Sequence, residues 1–223
     1  MREIILDTET TGFDPAEGHR ICEIAAVELV NLMPTGREFH IYVNPARDMP
    51  AEAHQVHGLS AEFLAGYPGF AAQVDELLEF LGSDRIVAHN AEFDMRFLNA
   101  ELKACALPPL ASAVQDTLQL ARRKYPGAPA SLDALCRRFG IDLSERDKHG
   151  ALIDCRLLAR VYLELMGGQQ PGLSLVAARA TTDDGRAIIR QPRPARPHAA
   201  VSEAELAAHE ALLAVITNPV WLE

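Results

Sequence analysis

The spacing of apolar and polar residues changes period partway along this chain. Ile4-Ile5-Leu6, the run from Ile21 to Val30 with Glu23 and Glu28 as its charged exceptions, and Phe39-His40-Ile41-Tyr42-Val43 read as three strands. Gly12-Phe13-Asp14-Pro15 and Pro34-Thr35-Gly36 lie between them as turn signals, which predicts an antiparallel meander. After Pro68 the period becomes helical, with Phe70, Val74, Leu77, Leu78 and Leu81 on one stripe that Gly82 ends. Arg85-Ile86-Val87-Ala88 reads as a short buried strand. Helical patterns follow over about 92–104, 117–124, 131–139 and 151–166, the third opened by Ser131 as N-cap and closed by Gly140. A meander followed by strand–helix alternation predicts an α/β fold, a mixed central sheet flanked by helices. The pattern does not fix the strand order.

Gly167-Gly168-Gln169-Gln170-Pro171-Gly172 marks the end of this domain, which is taken as residues 1–168. From 169 to 201 the periodicity fails. Pro192, Pro194 and Pro197 interrupt the chain, and Arg179, Arg186, Arg190, Arg193 and Arg196 outnumber Asp183 and Asp184. A flexible, mildly basic linker is expected. Order returns over 202–223, where Ser202-Glu203-Ala204-Glu205 has the form of a capping box. Leu206, Leu212, Leu213 and Ile216 form an apolar stripe, and Val220-Trp221-Leu222 follows. So short a helix cannot bury its stripe alone. The long linker favours docking on a partner over folding back.

Composition narrows the class. The 223 residues suffice for one domain with a full core, and no run of 18 apolar residues suggests a membrane span. Cys22, Cys105, Cys136 and Cys155 are scattered, without a C-x-x-C pair, as expected of buried reduced thiols. The first residues enter a strand without a secretory-signal pattern, so a cytoplasmic location is expected. A net charge of −10 argues weakly against a nucleic-acid partner. It does not exclude one, because a cation site needs carboxylates and a tethered subunit need not grip DNA strongly alone. No P-loop is present, and His209-Glu210 meets Leu213 where a zinc-protease helix needs a second histidine.

The acids are the informative residues. Asp7 and Glu9 are two apart at a strand end, so both side chains share one face, where they repel unless solvated, protonated or neutralised by a cation. Asp94 follows a buried strand near a helix start, and Asp154 stands inside an apolar helical run. Each has an ordinary explanation alone: a solvated strand end, an acid complementing a helix dipole, a solvated helix face. His149 precedes Asp154 by five residues and cannot share a regular helical face with it. It is therefore expected on the entering loop, with Gly150 giving that loop freedom and Asp154 pointing inward.

Taken together, D-x-E, N-x-x-F-D and H-x-x-x-x-D in that order resemble the histidine-bearing subclass of the DEDD exonuclease superfamily. Asp7-Thr8-Glu9-Thr10-Thr11-Gly12 matches the first motif in full. Val56-His57-Gly58, Ser131-Leu132-Asp133-Ala134-Leu135-Cys136, His149-Gly150-Ala151-Leu152, Gly167-Gly168-Gln169 and Glu205-Leu206-Ala207-Ala208-His209-Glu210 are similar to the epsilon proofreading subunits of bacterial DNA polymerase III. The similarity spans nearly the whole chain and is weakest over about 171–200.

The resemblance implies a ribonuclease-H-like fold and a metal-dependent 3′→5′ exonuclease that removes mispaired nucleotides from DNA primer ends during replication. It further implies two divalent cations, Mg²⁺ or Mn²⁺, held by Asp7, Glu9, Asp94 and Asp154, with Asp7 bridging and His149 as general base. Thr10, Thr11, His57, His89, Asn90 and Phe93 would line the site for the primer end, although Thr10 and Thr11 could equally shape the turn and Phe93 could equally be core. Leu206, Leu213, Ile216 and Trp221 would dock on the polymerase alpha subunit. Gln170, Leu173 and Leu175 would form a Q-x-x-L-x-L contact with the sliding clamp. No residue points to a third, theta-like subunit. Two rivals remain at this level: an RNA exonuclease of the same superfamily, since no motif reads the 2′-OH, and a clamp–polymerase adaptor, which has no chemical need for four acids and a histidine.

Overall fold

Ile4, Ile5 and Leu6 are all fully buried, so the strand that carries them is covered on both faces. This strand, β1 (Arg2–Thr10), leads into β2 (Ile21–Val30) and β3 (Met33–Tyr42), each antiparallel to the strand before it. β4 (Arg85–Ala88) returns in parallel beside β1, and β5 (Val114–Asp116) lies in parallel beside β4. The resulting five-stranded mixed sheet has the order β3-β2-β1-β4-β5, with β1 at its centre. The computed structural model describes residues 1–144, 148–168 and 201–215, which fall in two units divided between Leu173 and Ser174.

Alternation along the strands makes two cores. Ile5, Ala25, Val27, Leu29 and Val87 face one way, onto α5 (Thr117–Lys124), α6 (Leu132–Phe139) and α7 (Ala151–Leu165). Ile4, Leu6, Ile24, Ala26 and Ile86 face the other way, onto α3 (Val74–Leu81) and α4 (Ala91–Ala104) through Leu77, Leu81, Phe97, Leu98 and Leu102. The helix ends follow the sequence signals closely. Ser131 Oγ accepts the Ala134 N–H at 3.3 Å, and Gly140 closes α6 in the left-handed region at φ +67°. Two short helices that no periodicity revealed, α1 (Ala51–His57) and α2 (Ala61–Leu64), connect β3 to α3.

Two expectations are corrected. The β2–β3 turn is not Pro34-Thr35-Gly36 but Asn31-Leu32, with φ of +53° and +68°, the pair of positive angles that a two-residue hairpin requires. Pro34 to Arg37 lie inside β3, where the pairing jumps from Leu29↔Pro34 to Val27↔Glu38. An edge strand absorbs proline and glycine in such a bulge because its outer N–H groups need no partner strand. Gly150 has φ −154°, ordinary extended backbone, so its loop does not draw on glycine's freedom.

Cys22, Cys136 and Cys155 are buried free thiols, whereas Cys105 is only half-buried. Among the described residues no helix is long and apolar enough to cross a membrane. In the second unit, α8 (Glu203–Val215) begins at the capping box: Ser202 Oγ accepts the Glu205 N–H, and Glu205 Oε2 accepts the Ser202 N–H at 2.8 Å. Leu206 and Leu212 are exposed on it, and Leu213 is half-buried. Gln170, Leu173, Leu175, Ile216 and Trp221 lie outside the described residues, as does the expected linker apart from its last residue, Val201.

Candidate active site

β1 continues to Thr10, so Asp7 and Glu9 lie within the strand and not at its end. Both share the face of Ile5, while Thr8 points to the opposite face and donates its hydroxyl to Asp94 Oδ1 at 2.8 Å. Asp94 is 3% exposed in the first turn of α4. That helix starts from Asn90, whose left-handed backbone (φ +67°) is anchored by its N–H donating to Asp116 Oδ1 at 3.3 Å. Asp154, 4% exposed, occupies the first turn of α7, and His149 on the entering loop places Nδ1 3.3 Å from Asp154 Oδ2. Donor atoms of Glu9, His149 and Asp154 lie within 4.8 Å of one another. Asp7, His149 and Asp154 open onto a polar cleft of about 400 Å³ shared with His89, Ser131 and Asp133. Residues far apart in sequence thus meet around the central strand.

The electrostatics of the cluster are unfavourable without a counter-charge. Burial first, then the negative charges of Asp94, Glu9, Asp154 and Glu23, hold the Asp7 carboxyl well above the usual aspartate range. Burial pushes Asp94 up to about 7, against the pull of the Thr8 hydroxyl and of backbone N–H groups at Asp94 and Thr8. Carboxylate oxygens that repel one another fit hard divalent cations, which favour oxygen ligands and offset that repulsion. A cation that took Asp94 as a ligand would have to displace its proton. Binding of Mn²⁺ to the metal-free protein is therefore expected to tighten as pH rises from 6 through about 7. Calorimetric titrations at pH 6 and 8 check this; equal affinity at both would refute it.

Beside the acids lies a second cleft of about 390 Å³, more apolar, lined by Thr10, Thr11, Phe13, Val56, His57 and Phe93 among others. Thr10 donates its hydroxyl to the Gly12 carbonyl at 2.6 Å, and fully buried Thr11 accepts the Arg20 N–H at 3.0 Å, so both threonines shape the turn as well as the wall. Phe93 packs on Phe97 at 5.0 Å between centroids and still reaches the cleft. His57 is buried, its Nδ1 accepting the Leu59 N–H at 3.0 Å, and burial lowers its pKa. His89 meets Thr117 Oγ1 at 2.9 Å; because that hydroxyl already donates to the Ala88 carbonyl, His89 Nδ1 is the donor. Burial holds His89 towards its neutral form as well.

Sequence reasoning missed Phe13 and Val56. Phe13, 82% exposed on the cleft rim, is fixed through its carbonyl by Arg96 Nη2 at 2.7 Å. Its place directly after Thr10-Thr11-Gly12 was the one available signal.

The RNase T family model, described as exonuclease, matches residues 4–162. The DNA polymerase III subunit epsilon of Rickettsia conorii is 51% identical over 189 residues, 82% of each chain. That of Escherichia coli is 42% identical over 227 residues, covering 96% of this chain and 93% of its own. The chain belongs to the DNA polymerase III epsilon family. As a member of it, the chain is a proofreading 3′→5′ exodeoxyribonuclease with the ribonuclease-H-like fold of DEDD exonucleases, a metal-dependent class. Among solved structures, exonuclease X in complex with 5′-overhanging duplex DNA superimposes with a TM-score of 0.58 at 28% identity, covering 74% of this chain and 90% of that one.

Proposed function

We propose that Asp7, Glu9, Asp94 and Asp154 hold two divalent cations, Mg²⁺ or Mn²⁺, and that His149 is the general base in releasing nucleotides one at a time from the 3′ end of primer DNA. The observation that supports this most is the crowding of Asp94, Glu9 and Asp154 on the Asp7 carboxyl, with Asp7, Asp154 and His149 opening onto one cleft. When bound, the cations would supply Lewis-acid stabilisation of the attacking and departing oxygens. The rest falls to the chain. His149 takes a proton from the attacking water as the new oxygen–phosphorus bond forms and the bond to the 3′ oxygen breaks. Asp154, beside Nδ1, orients the ring. The apolar cleft takes the terminal base against Phe13 and Phe93, which suits stacking without regard to sequence. A mispaired end frays more readily, so it reaches this single-strand site more often.

For partners, the exposed leucines of α8 support docking on the polymerase alpha subunit through residues 202–223. The Q-x-x-L-x-L spacing of Gln170, Leu173 and Leu175 supports a sliding-clamp contact. The test is 3′-end release from labelled primers of identical sequence: DNA with a terminal mispair, fully paired DNA, and RNA. Shortening that requires Mg²⁺ or Mn²⁺ and is fastest on the mispaired DNA is expected. Equal or faster release from RNA would overturn the substrate assignment.

A further inference from the structure

α1 carries two features that meet the chemistry from different sides. The Val56 side chain, 47% exposed, lines the apolar cleft, while the Val56 carbonyl accepts the backbone N–H of His149 at 3.2 Å. The loop that bears His149 is therefore joined to the wall of this cleft at Val56. The end of α1 is itself held firmly. Gly58 turns the chain out of the helix at φ +79°, its N–H donating to the His54 carbonyl at 2.8 Å, and His57 braces the turn through the Leu59 N–H. Lys148 lies across Gly58, so a Cβ at position 58 would fall 2.8 Å from Lys148 Cδ, one residue from His149.

We infer that the turn Val56–Gly58 is a positioning element for His149, and that it places the imidazole according to how α1 sits against the terminal nucleotide. This rests on the reading of His149 as general base. Val56 and Gly58 touch no reacting atom; they act through the loop. A base held on a loop gains its rate from correct placement, and a displacement of about 1 Å can cost on the order of a hundredfold. Linking that placement to the cleft wall means that an occupied cleft and a placed base occur together.

The test is a double-mutant cycle on the full chain with mispaired primer DNA. Gly58→Ala strains the left-handed turn beside Val56, and its Cβ also makes the flexible end of the Lys148 side chain swing aside. Gly58→Asn introduces the same Cβ in a residue that tolerates that backbone better, which covers the case in which the alanine variant fails to fold. Gly140→Ala is the control: it too is a left-handed helix end, at φ +67°, but a Cβ there meets nothing within 4 Å. Both Gly58 variants are expected to lower kcat about tenfold or more with KM changed less than about twofold, while Gly140→Ala leaves kcat within about twofold. In a His149→Ala background, the Gly58 substitutions should cost nothing further, because the group they position is gone. Undiminished kcat in the Gly58 variants, or the same loss with and without His149, overturns the inference. Wild-type turnover in His149→Ala alone would instead overturn the underlying assignment of the base.

Discussion

Asp7→Asn is expected to abolish 3′-end release and, at the same time, to stabilise the metal-free protein. The two effects have one cause. Asp7 stands among Asp94, Glu9, Asp154 and Glu23, and its carboxyl titrates well above the ordinary aspartate range because burial and those charges oppose ionisation. A carboxyl with a raised folded-state pKa favours the fold below its unfolded value, about pH 4, and that advantage is lost as pH rises through the folded value. For Asp94 the folded value is about 7, and Asp7 lies in the same direction. At pH 8 Asp7 costs the metal-free fold stability in either form: ionised it is repelled by its neighbours, and protonated it must take up a proton that the unfolded carboxyl has lost. The amide avoids both costs while nearly preserving the side-chain volume, and a Tm rise of at least about 3 °C is expected in chelator at that pH. The stabilisation normally gained on adding Mn²⁺ should shrink or vanish. Catalysis should fall by about a thousandfold or more, since several kcal/mol of transition-state charge stabilisation depend on the cations. Melting curves with and without Mn²⁺, beside primer-shortening rates, read both effects. A variant that melts lower in chelator, or keeps a tenth of the rate, would contradict the role assigned to Asp7.

How far the sequence reveals this architecture depends on the length scale of each signal. β2 and the helices α3 to α7 carry an apolar pattern longer than one turn or one strand pair, and their bounds can be read from it. α1 and α2 span seven and four residues, and β5 only three, so no period can establish itself. The β2–β3 turn is misplaced by sequence because Pro34 and Gly36 signal loudly while Asn31-Leu32 does not; a leucine at φ +68° is set by the hairpin, not by its own preference. The acids are legible from their order along the chain. That they meet is not, because it depends on β4 returning beside β1 and on Thr8 reaching Asp94 across the strand. The electrostatic cost also needs three dimensions. Glu23 is cross-strand to Glu9 and engages His40 Nε2 at 2.7 Å, so a further acid, itself buried, adds to the field at Asp7 without resembling any motif.

His149→Ala is expected to lower kcat by about a hundredfold to ten-thousandfold, the range of general-base catalysis, while leaving KM and cation affinity nearly unchanged. The role proposed for His149 predicts this separation. The His149 side chain is half open to the cleft, whereas Asp94 and Asp154 are almost fully buried, so its removal empties no core and leaves the buried acids in place. The Thr8–Asp94 hydrogen bond and the first turns of α4 and α7 do not depend on it. Mn²⁺ should therefore still raise the Tm of the alanine variant by about the wild-type amount, which distinguishes a lost base from a lost ligand. His149→Ala that loses both the rate and the Mn²⁺ shift would make His149 a cation ligand, a role that its ring nitrogen, within 4.8 Å of Glu9 and Asp154 oxygens, is close enough to fill. A rate near wild type would leave the water without its base. The proton would then have to pass to a carboxylate, and Asp94, with a value of about 7 in the metal-free site, would be the first to test.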